Sequence, residues 1–284
     1  MMAELLKGAA VAAAMTAELA ARSAALAELG VTPTLAILRV GERADDLAYE
    51  RAAARRCERA GVAVQTLALP EDCSAGQLLA AIEAVNADAG IDGCLLLRPL
   101  PDRAAEAAAC AALRPEKDVD GMTAASQSFV YSGAGVGFAP CTAEAVVALL
   151  EGSGVDLSGL RATVVGRSPV IGRPAAMLLL QKNATVTVCH TRTKDLAARC
   201  REAELLVVAA GQEGLIGAES LAPGQIVVDV GIHAGPDGAL RGDVRFDEAE
   251  GVVKAITPVP GGVGAVTTAV LARHVIEAAE RNAK

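Results

Sequence analysis

The stretch VVGRSPVIGRP, residues 164–174, has the residue types and spacing to hold a nucleotide. It lies where an apolar, strand-like run gives way to a helical pattern. A turn of that kind binds a dinucleotide when glycines let backbone N–H groups approach the pyrophosphate and the following helix favours the anion. Gly166, Ser168 and Gly172, with Arg167 among them, give G-x-S-x-x-x-G, looser than the usual G-x-G-x-x-G. An ordinary strand-to-helix turn would match equally well, but a series of strands and helices follows, which favours the nucleotide. The next apolar run ends VCHTRT, residues 188–193. An NAD-preferring domain usually carries an acidic residue there for the ribose diol. His190, Thr191 and Arg192 stand there instead. A hydroxyl and a cation suit a 2′-phosphate, so NADP is expected ahead of NAD, although Arg192 capping a solvated turn would read the same way. Two more candidates are Asp120, in KDVDG, and Tyr49, in the helical run DDLAYERAAARRCERAGV. On spacing alone the first is a turn and the second a core ring.

These residues must be positioned by alternating elements. Residues 3–29 predict a helix, TPTLAILRVG a strand, 43–61 a helix, VAVQTLAL a strand, 75–88 a helix and DGCLLLRPLP a strand. Strand and helix in alternation imply parallel strands with crossover helices. A loop-rich passage follows PEKDVDGMT, up to a helix over 143–151 that Thr142 is placed to cap behind Pro140. A second alternation predicts strands at RATVVG, ATVTVCH, AELLVVAAG and QIVVDVG, helices at 172–182, 193–201 and 217–221, and a closing helix over 265–281. The expected architecture is α/β in two lobes with a cleft. An N-terminal substrate lobe covers 1–145, a Rossmann-type nucleotide domain covers 146–264, and the last helix, 265–284, packs back on the first lobe.

A length of 284 residues suits two modest domains. Hydrophobic residues are 52%, but aromatics only 2% and Trp is absent, so the core must be aliphatic. A net charge of -8 argues against nucleic acid or an anionic membrane as the main partner. Seven cysteines without paired spacing read as reduced thiols of a cytoplasmic protein. The three histidines are scattered and suggest no metal site. The apolar start KGAAVAAAM reads as an amphipathic helix rather than a targeting peptide or membrane span.

PEKDVDG, PCT, VVGRSPVIGRP, ATVTVCHTRT, DVGI, GDV and ITPVPGGVG run in this order along the chain. As a set they resemble the methylenetetrahydrofolate dehydrogenase/cyclohydrolase family. The resemblance implies oxidation of methylenetetrahydrofolate to methenyltetrahydrofolate with NAD(P), then hydrolysis to 10-formyltetrahydrofolate, in a protein that usually forms homodimers. It implies that Asp120 binds the pterin, that Tyr49 stacks on the folate, and that Pro260, Gly261, Gly262 and Gly264 approach the ligands closely. It also places Ile232 and Thr267 beside the cofactor. Ala265, Val266 and His233 depart from the family pattern. The larger departures are Ala53, where the family has its catalytic lysine one helical turn after the tyrosine, and Leu97, where it has a glutamine.

Hydrolysis needs a group that moves protons, whereas hydride transfer needs orientation and electrostatics. The expectation is therefore a dehydrogenase whose cyclohydrolase step is lost or weak. Two alternatives stand beside it. One is a fully bifunctional enzyme in which Arg51, Arg55, Arg56 or Arg98 reaches the lysine's place, although arginine is a poor base. The other is a non-catalytic nucleotide-binding homologue.

Overall fold

A computed structural model of the chain describes residues 2–235 and 237–283. They fall into two compact units. One holds the N-terminal residues up to Ala13 together with Thr142–Thr267, and the other holds Ala14–Cys141 together with the segment from Thr268 onward. In chain order, β1 (Glu4–Leu5) precedes α1 (Gly8–Glu28), β2 (Thr34–Val40), α2 (Ala44–Arg59), β3 (Ala63–Leu69), α3 (Ala75–Ala87), β4 (Gly93–Leu96), α4 (Arg103–Ala112) and α5 (Ala124–Ser132). Then come α6 (Cys141–Gly152), β5 (Arg161–Val165), α7 (Gly172–Gln181), β6 (Thr185–Cys189), α8 (Leu196–Arg201), β7 (Leu205–Val208) and β8 (Ile226–Asp229). A small hairpin of β9 (His233–Ala234) and β10 (Leu240–Arg241), α9 (Phe246–Ala249), β11 (Ala255–Ile256) and α10 (Gly264–Asn282) complete the chain.

The unit built on residues 14–141 has a parallel sheet in the order β3-β2-β4. Leu35, Ala36, Ile37 and Leu38 of the central β2 are wholly buried, which is why that strand reads as an unbroken apolar run. β3 lies at the edge and keeps half its side chains in solvent. Helix starts are set locally. Ser74 and Gln77 form a reciprocal capping box on α3, and the Asp102 carboxylate accepts from the N–H groups of Ala104 and Ala105 at the head of α4. Leu38, Ile82, Leu96, Ala109 and Leu113 fill a core without aromatic rings, as the composition required. Arg22 of α1 grips Glu280 of α10 through two hydrogen bonds of 2.9 and 2.7 Å.

The other unit carries a six-stranded parallel sheet, β1-β11-β8-β7-β5-β6. After β5 the chain steps outward to β6 and then returns to β7 on the opposite side. The strand order therefore reverses at β5. In open α/β sheets, ligands bind at the carboxyl end of the strands where this reversal occurs.

Four details differ from the sequence reading. The first helix begins only at Gly8, because Glu4 and Leu5 pair in parallel with Ala255 and Ile256 as β1, and two residues are too few to show a period. The passage read as loop contains α5, capped by Thr123 Oγ1 on the Ser126 N–H and ended by left-handed Gly133; its serines blur the apolar spacing. Helix α6 opens at Cys141, so Thr142 lies within its first turn and is not its cap. The Leu196 helix starts later than expected, behind the Asp195 cap. Helix α1 is long and apolar enough in composition to cross a membrane, yet it sends Leu19 and Leu26 into the protein core.

Candidate active site

KDVDG divides its polar residues between two tasks. Lys117 is buried and donates from Nζ to the carbonyls of Val85 and Asp88, at 2.6 and 2.5 Å. Burial, with Arg114 nearby, lowers its pKa. Asp118 is fully buried and accepts from the N–H groups of Met122 and Thr123 and from Ser126 Oγ, at 2.9, 2.7 and 2.6 Å. Gly121 closes the turn with a positive φ of 66°, where a Cβ would strike the backbone of residues 138–140. Lys117 is thus spent tying the loop to the end of α3 and Asp118 on the loop and the head of α5. Asp120 is the carboxylate left over, and it faces Arg98 Nη2 at 3.6 Å.

Tyr49 lies half-buried on α2, close enough to Asp120 to feel its charge. Burial, reinforced by that charge, holds the phenol well above its ordinary pKa, so it is a neutral, flat surface rather than a base. One turn on, Ala53 has 0% exposure. Leu97 is also buried, and its N–H bonds the Leu38 carbonyl at 2.9 Å, continuing the pairing of β4 with β2. Of the arginines considered as replacements for the lysine, Arg51 and Arg55 are exposed. Arg56 donates to Thr16 Oγ1 at 2.9 Å and to Thr268 Oγ1 at 3.4 Å. Arg98 alone of the four pairs with Asp120.

In the other unit, Gly166 takes a φ of 130°. A Cβ there would run into the Ala209 carbonyl oxygen, and one at Gly172 into the Gly166 carbonyl oxygen, so both positions require glycine. Ser168 Oγ accepts from the N–H groups of Ile171 and Gly172, at 3.1 and 3.3 Å. Its hydroxyl caps α7 and keeps its own proton to donate. The Gly166 N–H bonds the Cys189 carbonyl at 2.9 Å, setting the Arg167 turn beside the turn that follows β6. There His190 Nδ1 accepts from the Arg192 N–H at 3.1 Å and Thr193 Oγ1 accepts from the His190 N–H at 2.8 Å. Arg167, Thr191 and Arg192 are exposed. Two guanidinium groups on adjacent turns, with no acidic residue in 188–193, suit an additional phosphate. Ile232 is 61% exposed and lies beside Gly264. Pro260 and Gly261 are exposed, and the Gly261 carbonyl accepts from the Gly8 N–H at 2.8 Å. Thr267 lies within the first turn of α10 rather than at its start, and its hydroxyl donates back to the Val263 carbonyl at 3.3 Å.

The structure also joins DVGI and GDV, to which the residue-level reading assigned no role. Asp229 accepts from the N–H groups of Gly231, Asp243 and Val244, at 2.9, 3.0 and 2.9 Å. Asp243 accepts from those of Ala210 and Gly211, at 2.6 and 2.9 Å, and lies 2.7 Å from His233 Nε2. Burial pushes the Asp229 carboxyl up to about 6 in spite of its three backbone donors. This network ties the ends of β7 and β8 to the hairpin. The pairing of His233 with an acidic residue ten positions later carries no local signature. The sequence reading named Arg98 only as one of four arginines that could take the lysine's place; its pairing with Asp120 joins separate segments and likewise carries no local signature.

Two family models match the chain. One describes the catalytic domain of tetrahydrofolate dehydrogenase/cyclohydrolase and matches residues 6–120; the other describes its NAD(P)-binding domain and matches residues 140–283. Among curated relatives, the bifunctional protein FolD of Carboxydothermus hydrogenoformans is 46% identical over 281 residues, covering 98% of both chains. The bifunctional FolD dehydrogenase/cyclohydrolase of Campylobacter jejuni superposes with a TM-score of 0.94 at 37% identity, covering 98% of each chain. The Trypanosoma brucei methylenetetrahydrofolate dehydrogenase-cyclohydrolase, solved with NADP and an inhibitor, gives a TM-score of 0.92 at 34% identity, covering 99% of this chain and 98% of that one. With both domain models matched and the relatives aligned nearly end to end, the chain belongs to the tetrahydrofolate dehydrogenase/cyclohydrolase family.

Proposed function

We propose that this protein is an NADP-dependent 5,10-methylenetetrahydrofolate dehydrogenase whose cyclohydrolase step is lost or weak. One observation carries the reading. Ala53 and Leu97, the positions where the family resemblance places its proton-handling side chains, are buried hydrocarbon, while the nucleotide turn at 166–172 keeps both glycines that its geometry demands.

Hydride transfer asks three things of the chain: an anion for the aminopyrimidine edge, a flat apolar surface, and a nucleotide cradle. Asp120 supplies the first by accepting hydrogen bonds. The neutral ring of Tyr49 supplies the second. The third comes from the 166–172 turn, with Arg167 and Arg192 placed to read the 2′-phosphate. NADP held there would supply the acceptor for the hydride of the one-carbon bridge, which would leave methenyltetrahydrofolate as product. Orientation of that carbon is the main contribution such a site makes.

Hydrolysis of methenyltetrahydrofolate has further needs: a water must lose a proton and a folate nitrogen must gain one. Ala53 and Leu97 can do neither. Tyr49 is held neutral far above working pH, and Arg98 stays protonated. The bifunctional reading rests on the curated relatives, which are named bifunctional at 40–46% identity.

Two assays on the purified protein separate these readings. Reduced nucleotide formed from methylenetetrahydrofolate with NADP, without faster decay of added methenyltetrahydrofolate, supports the monofunctional reading. Decay above the buffer rate overturns it in favour of bifunctionality. Silence in both assays would leave a nucleotide-binding homologue.

A further inference from the structure

We propose that Arg98 is a positioning residue of the folate site: from the end of β4 its guanidinium holds the Asp120 carboxylate ready to receive the aminopyrimidine edge, and it supplies the site's cation where position 53 has none. The inference rests on the dehydrogenase reading for its substrate, but not for the contact itself.

Four observations converge on it. Arg98 lies in the bend two residues past the end of β4, and its side chain is only 21% exposed. Its Nη2 lies 3.6 Å from Asp120 Oδ2, within ion-pair range though longer than a hydrogen bond. Its Nε is buried with no acceptor, so the side chain has given up hydration that a surface arginine would keep; a casual surface pair does not do this. Finally, the surroundings of Asp120 are divided: burial and Asp118, from the same loop, oppose its charge, while Cys141 from α6 and His274 from α10 favour it less strongly than Arg98 does, and Tyr49 faces it from α2. Cys110 of α4 senses both Arg98 and Asp120. Of these groups Arg98 alone carries a permanent positive charge.

Burial raises the Asp120 pKa, Asp118 raises it further, and Arg98 is the largest opposing influence. Without Arg98 the carboxyl would take up a proton at a higher pH and stop accepting hydrogen bonds from the pterin. The substitution pattern then becomes coherent. The cation has moved from the helix that bears Tyr49 to the strand end that bears Arg98. Electrostatic support for Asp120 is kept, and acid–base ability is given up, because a guanidinium does not exchange its proton in this pH range.

The test is steady-state dehydrogenase kinetics between pH 5 and 9 for the wild type, Arg98→Leu and Arg98→Lys. The expected result for Arg98→Leu is a KM for methylenetetrahydrofolate raised about tenfold and an acid limb of kcat/KM displaced upward by about one pH unit, with the KM for NADP unchanged. Arg98→Lys should return the limb towards the wild-type position. An Arg98→Leu enzyme with wild-type KM and wild-type acid limb overturns the proposal. A second measurement needs no turnover: carbon-13 titration of the aspartate carboxyls, with Asp120 assigned by Asp120→Asn. The Asp120 midpoint should be higher in Arg98→Leu than in the wild type, and equal midpoints would also overturn the proposal. A wild type inactive as a dehydrogenase but showing the shifted midpoint would sink the activity reading and leave the Arg98–Asp120 pair standing.

Discussion

Asp118 and Asp120 stand two positions apart and differ in every physical respect. Asp118 is sealed with three donors, whereas Asp120 meets an arginine across a gap. Replacing Asp118 with Asn turns an acceptor into a donor facing N–H groups, so Asp118→Asn should lower unfolding free energy by about 2–4 kcal/mol in urea titrations. Asp120→Asn should leave that free energy within about 1 kcal/mol of wild type while raising the KM for the folate about tenfold or more. The reverse pattern would show that the two roles had been exchanged. At the nucleotide end, Arg192→Ala should raise the KM for NADP about tenfold and leave that for NAD within about twofold, because only the 2′-phosphate loses a partner. Ala53→Lys is the converse probe. If decay of methenyltetrahydrofolate lacks only a proton-handling group, this variant should show it above the wild-type rate, provided the buried site accepts the longer side chain.

Elements carry constraints that no single residue expresses. The β5–α7 turn closes because Gly166 and Gly172 lie where a Cβ would meet backbone oxygen. Gly172→Val should therefore abolish nucleotide binding by calorimetry while leaving every charged side chain of the site in place. The ends of β7 and β8 are held by the Asp229–Asp243–His233 network. Asp229 keeps its proton up to about pH 6 in the folded chain, against an ordinary value of 3.8. Its contribution to stability is therefore fully present below pH 4 and is lost as the pH rises through about 6. Asp229→Asn cannot ionise. The free-energy difference between variant and wild type should then move in the variant's favour by about 3 kcal/mol between those limits, read from urea unfolding at several pH values. A difference independent of pH would mean that Asp229 titrates normally.

At the scale of the whole molecule, two units share one chain, and the proposed nucleotide contacts belong to the unit containing 142–267. A ligand that binds only the folded state at about 100 times its dissociation constant stabilises what it touches by about 2.7 kcal/mol. With NADP at that level, amide exchange should slow in the turns at 166–172 and 190–193 and in β5 to β8. Slowing confined to residues 14–141 would place the nucleotide elsewhere. Both units have a mainly aliphatic core, with the buried Phe138 ring set against His274 at 4.8 Å in one of them. Small-to-large substitutions at Ala36 or Ala109, which have no exposure, fall where overpacking is costly.

The sequence by itself determined the alternation of strand and helix, the ring-poor core, the glycine turn of the nucleotide unit and the hydrocarbon side chains of Ala53 and Leu97. Each of these follows from residue type or from spacing within one element; that positions 53 and 97 bear on chemistry came only from the family resemblance. The tertiary structure alone decided that Glu4 and Leu5 join a sheet built from the far end of the chain and that Asp118 rather than Asp120 is consumed by the loop. It likewise decided that Arg98 turns to Asp120 and that Asp229, Asp243 and His233 meet. The physical reason is common to all four. Strand register and burial bring together groups that local periodicity does not relate, and in that setting their charge and hydrogen-bonding acquire their function.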